Sequence, residues 1–169
     1  MRILKWLVVV LVLAGVDQAI KLWAEANLPL QQVSQLLNLP GPFRLDLYRT
    51  YNEGVAFSFL SGIGPQLLSG LMILIVVFVL WLWRSLDPTR WISSLAYAFV
   101  IGGAIGNLID RIRIEKVIDY VLFHSETWSF AIFNFADALI SVGAALIILD
   151  EVLVWRKDRK DDTAPGPQA

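Results

Sequence analysis

The sequence lacks several residue types that common catalytic and binding sites need. Among its 169 residues there is no cysteine, which excludes disulfides, thiol nucleophiles and thiolate metal sites. The only histidine is His124, so a metal site with several histidine ligands is excluded as well. Charged residues make up 17% of the chain, whereas soluble domains carry about 25%. The net charge of −1 gives no electrostatic support for nucleic-acid binding, and we expect neither a metal nor another cofactor.

Hydrophobic residues dominate what is present. They account for 57% of the sequence, and the mean hydropathy is +0.63. A helix that crosses a bilayer needs about 20 mostly apolar residues. Four stretches meet this requirement: Trp6 to about Trp23, about Pro65 to Trp83, about Trp91 to Ile109, and about Ala131 to Trp155. The sequence therefore predicts an all-α membrane protein with four transmembrane helices. Its apolar start has the form of a signal peptide, but no small-residue cleavage site follows, which favours a retained anchor.

Basic residues predict the orientation of these helices. They are concentrated near the chain ends and between the second and third spans: Arg2, Lys5, Arg84, Arg90, Arg156, Lys157, Arg159 and Lys160. Short loops that are rich in lysine and arginine stay in the cytoplasm. We therefore expect both termini in the cytoplasm, one membrane domain over residues 1–155, and a polar, disordered cytoplasmic tail over residues 156–169.

The segments expected on the other side of the membrane, residues 24–64 and 110–131, carry strand patterns. Phe43–Leu47 and Arg111–Glu115 alternate apolar and polar residues, which is the period of a half-buried strand. Asn52-Glu53-Gly54 is typical of a turn. We expect a small extracytoplasmic β platform, from about residue 42 to residue 58, that is continuous with the helix ends.

Polar residues that are unusual in a membrane domain fall at one predicted depth. They are Asp17, Lys21, Asn52, Asn107, Asp110, Arg111, Asp119, Asn134 and Asp137. An ionisable group costs about 2.5–3.5 kcal/mol at the centre of a membrane helix, and such groups tend to mark functional sites. Two pairs also have a purely structural interpretation: Asp17 with Lys21 at i, i+4, and Asp110 with Arg111 as a brace at the end of the third span.

Asp119 and Asp137 stand out because their neighbours in the sequence are apolar. No basic residue lies within one helical turn of Asp137. Two carboxylates that meet in such a place can share one proton, since like charges at close range do not both ionise easily. One can then act as a base on water while the other acts as an acid toward a carbonyl oxygen. The sequence contains neither the G-x-S-x-G of serine hydrolases nor the H-E-x-x-H of zinc peptidases.

Five blocks of residues carry a resemblance to a known family. They are Asp17-Gln18-Ala19-Ile20-Lys21, Asn52-Glu53-Gly54-Val55-Ala56-Phe57-Ser58, Gly102-Gly103-Ala104-Ile105-Gly106-Asn107-Leu108-Ile109-Asp110-Arg111, Val117-Ile118-Asp119-Tyr120 and Phe133-Asn134-Phe135-Ala136-Asp137. With these blocks in order on four predicted spans, the chain resembles the bacterial lipoprotein signal peptidases, also called type II or prolipoprotein signal peptidases. It departs from the commonest pattern at Ile118 and Tyr120, where Val and Phe are frequent, and at Val55, where a small residue is frequent.

The resemblance implies an activity and a role for each of these polar residues. The family's enzymes are aspartic endopeptidases that remove the signal peptide of a prolipoprotein before a cysteine carrying a diacylglyceryl group. Catalysis is implied for Asp119 and Asp137. Substrate contacts are implied for Asn52, Gly54, Asn107, Arg111, Asn134 and Ala136, and a supporting role for Asp17, Lys21 and Asp110.

Partners and a location are implied in the same way. The partners are diacylglyceryl-modified prolipoproteins, membrane lipid and the cyclic peptide inhibitor globomycin. The location is the bacterial inner, or cytoplasmic, membrane, with the active site facing the periplasmic or outer side.

Two other classes of protein remain open from the residues alone. A small transporter or channel also uses intramembrane carboxylates in proton relays, although this sequence shows no internal repeat of the kind many transporters have. A non-catalytic membrane scaffold that binds a partner helix has no need of two carboxylates in apolar surroundings. A presenilin-like intramembrane protease is disfavoured, because the sequence has no G-x-G-D.

Overall fold

The structure, a computed structural model, describes residues 2–54, 65–87 and 89–162. These ranges contain four helices and one four-stranded sheet. In chain order the elements are α1 (Arg2–Asn27), β1 (Val33–Asn38), β2 (Phe43–Asn52), α2 (Pro65–Arg84), α3 (Trp91–Ile114), β3 (Val117–Ser125), β4 (Ser129–Phe133) and α4 (Phe135–Asp162).

All four helices contain segments long and apolar enough to cross a membrane. These segments are Leu4–Asn27, Gln66–Arg84, Trp91–Ile114 and Phe135–Lys157. Large apolar side chains such as Val77 and Phe78 on α2 are more than half exposed, as expected of a surface that faces lipid. The chain is therefore a multi-pass membrane protein, and the four predicted spans are confirmed.

Helix α3 lies at the centre of the bundle and packs against α1, α2 and α4. Glycines permit the close approach. A Cβ atom at Gly102 would lie 3.0 Å from the Leu13 Cβ, and one at Gly103 would meet the backbone of Ala136. These contacts bring the middle of α3 against the middle of α1 and against the start of α4.

The sheet lies at the end of the bundle where α1 and α3 end and α2 and α4 begin. All strands are antiparallel in the order β1-β2-β3-β4. The strand predicted at Phe43–Leu47 is confirmed as part of β2, and the turn after it is confirmed at Asn52, whose side chain accepts a hydrogen bond from the Gly54 N–H at 2.8 Å. Gly54 has φ +97°, a conformation that favours glycine. The rest of the predicted platform, residues 55–58, lies outside the described residues.

The strand predicted at Arg111–Glu115 is wrong. Residues 110–114, expected in an outer loop, form the last turn of α3, and Glu115 ends the helix in the left-handed conformation with φ 59°. Two cations, Arg111 and Arg113, lie in that last turn, where they interact favourably with the helix dipole. Alternation in a short segment did not distinguish a strand from this helix end.

The start and end of the fourth span also differ from expectation. Ala131 belongs to β4, which pairs with β3 through Phe123, so α4 begins at Phe135. At its other end α4 continues to Asp162, so the first residues of the expected disordered tail are helical. The predicted small sheet is present, and it includes β1, β3 and β4, which lie outside the predicted range from residue 42 to residue 58.

Candidate active site

Asp137 is held by the first turn of α4. Asn134 directly precedes this helix, and its side-chain oxygen accepts the Asp137 N–H at 3.0 Å. In return, the Asp137 Oδ2 accepts the Asn134 N–H at 3.2 Å. This reciprocal arrangement is a capping box, which the sequence specifies by an asparagine followed three residues later by an acidic residue. It fixes the Asp137 carboxylate relative to the helix axis.

Two further elements hold the same turn. The Phe135 N–H donates to the Tyr120 hydroxyl of β3 at 3.1 Å. The Ala136 N–H donates to the Asp17 Oδ1 of α1 at 2.9 Å. The N–H groups of a helix's first turn have no partner within the helix. Here three side chains from three different places in the sequence supply one partner each.

Asp119 lies in β3, with only 2% of its surface exposed. Its Oδ2 accepts the Asn52 Nδ2 at 3.0 Å, and its Oδ1 accepts the Asn134 Nδ2 at 2.7 Å. Burial raises the pKa of Asp119 to about 7, and the nearby charge of Asp137 adds to the rise, while the two amide hydrogen bonds oppose it. At neutral pH this carboxyl group therefore holds a proton for a large fraction of the time.

Asn134 and Asn107 join the two carboxylates. Asn134 donates to Asp119 through its side chain and to Asp137 through its backbone. Asn107, on α3, donates to the Asp137 Oδ1 at 2.8 Å and accepts from the Asn134 Nδ2 at 3.2 Å. The structure thus brings together the two predicted catalytic aspartates and the three predicted asparagines.

A buried ion cluster lies behind this pair. The Lys21 Nζ contacts the Asp17 Oδ2 at 2.8 Å, the Asp110 Oδ2 at 3.0 Å and the Asn107 Oδ1 at 2.8 Å. Lys21, Asp17 and Asp110 are fully buried. An ammonium group has three N–H donors, so all three are used. Because Lys21 bonds to Asn107, the cluster is connected to Asp137 through this asparagine.

The contacts of Asp110 bear on the alternative that it braces the end of the third span with Arg111. Its carboxylate pairs with Lys21 and also accepts the Ile118 N–H at 3.1 Å. Arg113 lies 3.9 Å from it, so among the described residues the ion pair of Asp110 with an arginine is with Arg113, and the alternative of a brace with Arg111 gains no support. The hydrogen bond to Ile118 instead ties the end of α3 to β3, next to Asp119.

Arg111 contacts helix α2. Its Nε donates to the Met72 sulfur of α2 at 3.0 Å, and its Nη1 is buried without a hydrogen-bond partner among residues 2–54, 65–87 and 89–162. A Cβ atom at Gly54 would lie 3.8 Å from that nitrogen. A buried N–H donor without an acceptor is costly. Arg111 therefore offers a donor that a bound carbonyl can satisfy, beside the Gly54 turn.

The remaining predicted contact, Ala136, is fully buried, and its N–H is taken by Asp17. Gln18 was not among the predicted site residues, yet its Nε2 donates to the Gly106 carbonyl at 2.9 Å and to the Asp110 Oδ1 at 3.1 Å. Its place between Asp17 and Lys21 in the first sequence block was the available signal. His124 bonds to Asp46 in the sheet, away from these groups.

Comparison with known proteins gives independent information. The family described as Signal peptidase (SPase) II matches residues 9–153. A lipoprotein signal peptidase of Sinorhizobium fredii is 51% identical over 150 residues, which cover 89% of this chain and 87% of that protein. Another, of Brucella ovis, is 48% identical over 153 residues, which cover 90% of this chain and 92% of that protein.

A solved structure shows the same fold. A bacterial membrane enzyme determined at 2.3 Å by the in meso method has a TM-score of 0.74 and 22% identity, with coverage of 97% of this chain and 94% of that one. The family match spans the elements from Asp17 to Asp137 that build the candidate site. The resemblance seen in the sequence is confirmed, and the chain belongs to the signal peptidase II family.

Proposed function

We propose that this chain is an aspartic endopeptidase that removes signal peptides from diacylglyceryl-modified bacterial prolipoproteins, cutting before the lipidated cysteine. Two lines of support converge. The similar proteins of Sinorhizobium fredii and Brucella ovis are lipoprotein signal peptidases. The observation that carries the mechanism is the pair of carboxylates, Asp119 and Asp137, that both bond to Asn134 at the sheet end of a membrane bundle.

In the proposed mechanism Asp119 is the acid and Asp137 the base. Asp119 is almost fully buried and its pKa lies near neutrality, so it carries the proton of the pair. Asp137 accepts N–H donors from Asn107 and Asn134 at the start of α4, and these bonds orient its carboxylate as the proposed base. The pair titrates as a unit, and these roles describe its singly protonated state.

The reaction then proceeds in two proton-balanced steps. Asp137 takes a proton from water as the oxygen attacks the scissile carbonyl carbon, and Asp119 gives its proton to the carbonyl oxygen. The tetrahedral intermediate collapses when Asp137 returns its proton to the leaving nitrogen and Asp119 regains one from a hydroxyl group. The C–N bond breaks, and both carboxyl groups return to their starting states.

Arg111 and the Gly54 turn are the proposed peptide-binding groups. The Nη1 atom, which has no hydrogen-bond partner in the part of the chain that the structure describes, donates to a substrate carbonyl beside the Gly54 turn, where Leu68 occupies the place of a side chain at Gly54. Asn52, Asn107 and Asn134 already bond to the carboxylates, so their proposed contribution in the free enzyme is to position the dyad. Their contact with substrate, and that of Ala136, stay predictions.

The proposed setting is the bacterial inner membrane, with both termini in the cytoplasm and the site at the periplasmic or outer side. The distribution of basic residues near span ends supports this orientation. Membrane lipid surrounds the bundle, and a lipid-anchored substrate can reach a site at the sheet end. Globomycin is the inhibitor expected from the family.

A cleavage assay tests this function. The protein, purified in detergent, is incubated with a diacylglyceryl-modified prolipoprotein and the product is followed by mass. We expect loss of the signal peptide, and a decrease of about a thousandfold or more in Asp119→Asn and in Asp137→Asn. Asp46→Asn is the matched control, because Asp46 is a buried aspartate of the same sheet that bonds to His124.

The outcomes separate the alternatives. Activity that survives in either catalytic variant keeps the peptidase and contradicts the dyad. A folded wild-type protein that cleaves nothing contradicts the proposed function, and proton flux in liposomes then tests the transporter alternative.

A further inference from the structure

One hydrogen bond joins the two chain segments that carry the carboxylates without using either carboxylate. Tyr120 follows Asp119 in β3, and Phe135 opens α4 two residues before Asp137. The Phe135 N–H donates to the Tyr120 hydroxyl at 3.1 Å. A change in this contact therefore moves the first turn of α4 relative to the strand that holds Asp119.

The Tyr120 ring is held rigidly. It is 5% exposed and belongs to a core cluster with Ala24, Leu28 and Ile118, so α1 packs on it as well. A ring packed at native density has little freedom to shift. Its hydroxyl oxygen is thus a fixed point for the N–H at the start of α4.

The hydroxyl group also keeps its proton throughout the working pH range. Burial raises the pKa of Tyr120, and the charges of Asp17, Asp137 and Asp119 raise it further, while the hydrogen bond from Phe135 opposes the rise. The group consequently stays neutral beside three carboxylates, and it accepts from Phe135 without adding a negative charge to the site.

We infer that Tyr120 is a positioning residue whose hydroxyl fixes the first turn of α4 against β3 and thereby sets the separation of the Asp119 and Asp137 carboxylates. The inference rests on the proposed function, since it concerns the geometry of the proposed dyad. This role belongs to the Tyr120 hydroxyl, and the packing of the ring alone does not provide it.

The test compares two buried tyrosines. Tyr120→Phe removes the hydroxyl and keeps the ring. Tyr97→Phe does the same on α3, where the ring stacks on Trp83 away from the site. For Tyr120→Phe we expect kcat to fall about fivefold with KM unchanged, which is the effect of one neutral hydrogen bond expressed in the transition state. For Tyr97→Phe we expect wild-type kcat.

A pH profile supplies a second readout. Carboxylates that lie farther apart interact less, so their two apparent pKa values move closer together. We expect the alkaline limb of kcat to shift to lower pH in Tyr120→Phe and to stay in place in Tyr97→Phe. A variant that melts at lower temperature in detergent but keeps the wild-type kcat and pH profile would show a structural role only and overturn the inference.

A second variant removes the same hydrogen bond from the other side. Phe135→Pro deletes the donating N–H at the first helical position, where proline is well tolerated. If the bond carries the effect, Tyr120→Phe adds nothing to kcat in the Phe135→Pro background. If the fivefold losses of kcat multiply in the double variant, the inference is contradicted. A wild-type kcat in Phe135→Pro also contradicts it, even where Tyr120→Phe does not fold. Wild-type protein that cleaves no prolipoprotein would instead refute the proposed function.

Discussion

Two clusters of charged side chains lie at opposite ends of the helical bundle, and they are built differently. At the sheet end, Lys21 lies between Asp17 and Asp110, and the three side chains have no exposed surface. At the other end, Arg90 pairs with Asp150 at 2.6 Å and with Glu151 at 2.8 Å, and the side chain of Glu151 is 58% exposed. The first cluster is shielded from water, whereas the second opens toward water at Glu151.

The two clusters differ in role as well as in solvation: the exposed one joins two helices, and the buried one is connected to the candidate site. Arg90 and Ser93 both bond to Asp150, so they attach the start of α3 to α4. Water can replace some of the hydrogen bonds that Arg90 makes. Lys21 is a fully buried cation that bonds to carboxylates and to Asn107, and Asn107 bonds in turn to Asp137. A charge at the sheet end consequently affects every neighbour, while a charge at the other end affects mainly its own pair.

Replacement of Lys21 has the largest expected effect on stability. Lys21→Met leaves the buried Asp17 and Asp110 without their cation, and breaking such a buried pair costs about 3–5 kcal/mol. We expect the free energy of unfolding to fall by that amount in an SDS titration, and the cleavage rate to fall with it. A variant as stable as the wild type would show that the cluster is not a buried ion network.

A smaller loss is expected at the opposite end. Arg90→Gln removes the cation from Asp150 and Glu151, whose pairing is partly exposed. We expect a loss of about 1 kcal/mol in the same titration, because pairs near water contribute little, and an unchanged kcat. A decrease in kcat like that of Lys21→Met would abolish the distinction between the two clusters.

The pH dependence sharpens the same comparison. Asp119 has a pKa of about 7, raised from 3.8 mainly by burial. Since the proposed acid must hold its proton, we expect kcat to fall as pH rises through about 7. A kcat that is constant from pH 6 to pH 9 would contradict the acid role of Asp119.

Stability should follow the same titration. The folded state binds the Asp119 proton more tightly than the unfolded state, so the stability that this group contributes is present at low pH and is lost as pH rises from about 4 to about 7. Asp119→Asn should flatten this slope in SDS titrations. The slope should persist in Asp46→Asn, because Asp46 lies in the sheet beside His124.

The smallest effect is expected for an exposed ion pair on the sheet. Arg44 and Glu126 lie 3.4 Å apart, with 39% and 76% of their side chains exposed. Arg44→Gln should change the free energy of unfolding by less than about 0.5 kcal/mol and leave kcat unchanged. A loss as large as that for Arg90→Gln would contradict the dependence on solvation.

The sequence predicted the features that depend on local pattern. Long apolar runs predicted the four spans, alternation predicted the strand at Phe43–Leu47, and Asn134 with Asp137 had the spacing of a helix cap. The helical end of α3 was missed because five alternating residues fit a strand equally well. Strand β4 was missed because its apolar residues adjoin the apolar run of α4.

Contacts between distant parts of the chain were beyond the sequence pattern. Membrane topology placed Lys21 and Asn107 at the same depth, but their 2.8 Å contact depends on how α1 rotates against α3, which side-chain packing decides. The bond between Tyr120 and Phe135 likewise depends on how β3 meets the start of α4. Such rotations depend on the packing of many side chains from distant segments, which a local sequence pattern does not reveal.

The i, i+4 pairing of Asp17 with Lys21 also has a consequence for how the protein is made. Helix α1 leaves the ribosome before α3 exists, so Asp110 and Asn107 are not yet available to it. Because Asp17 and Lys21 neutralise each other within the same helix, α1 can enter the bilayer without carrying an unpaired charge. The pair within one helix therefore lowers the cost of placing these two ionisable residues in the bilayer before the rest of the ion cluster is present.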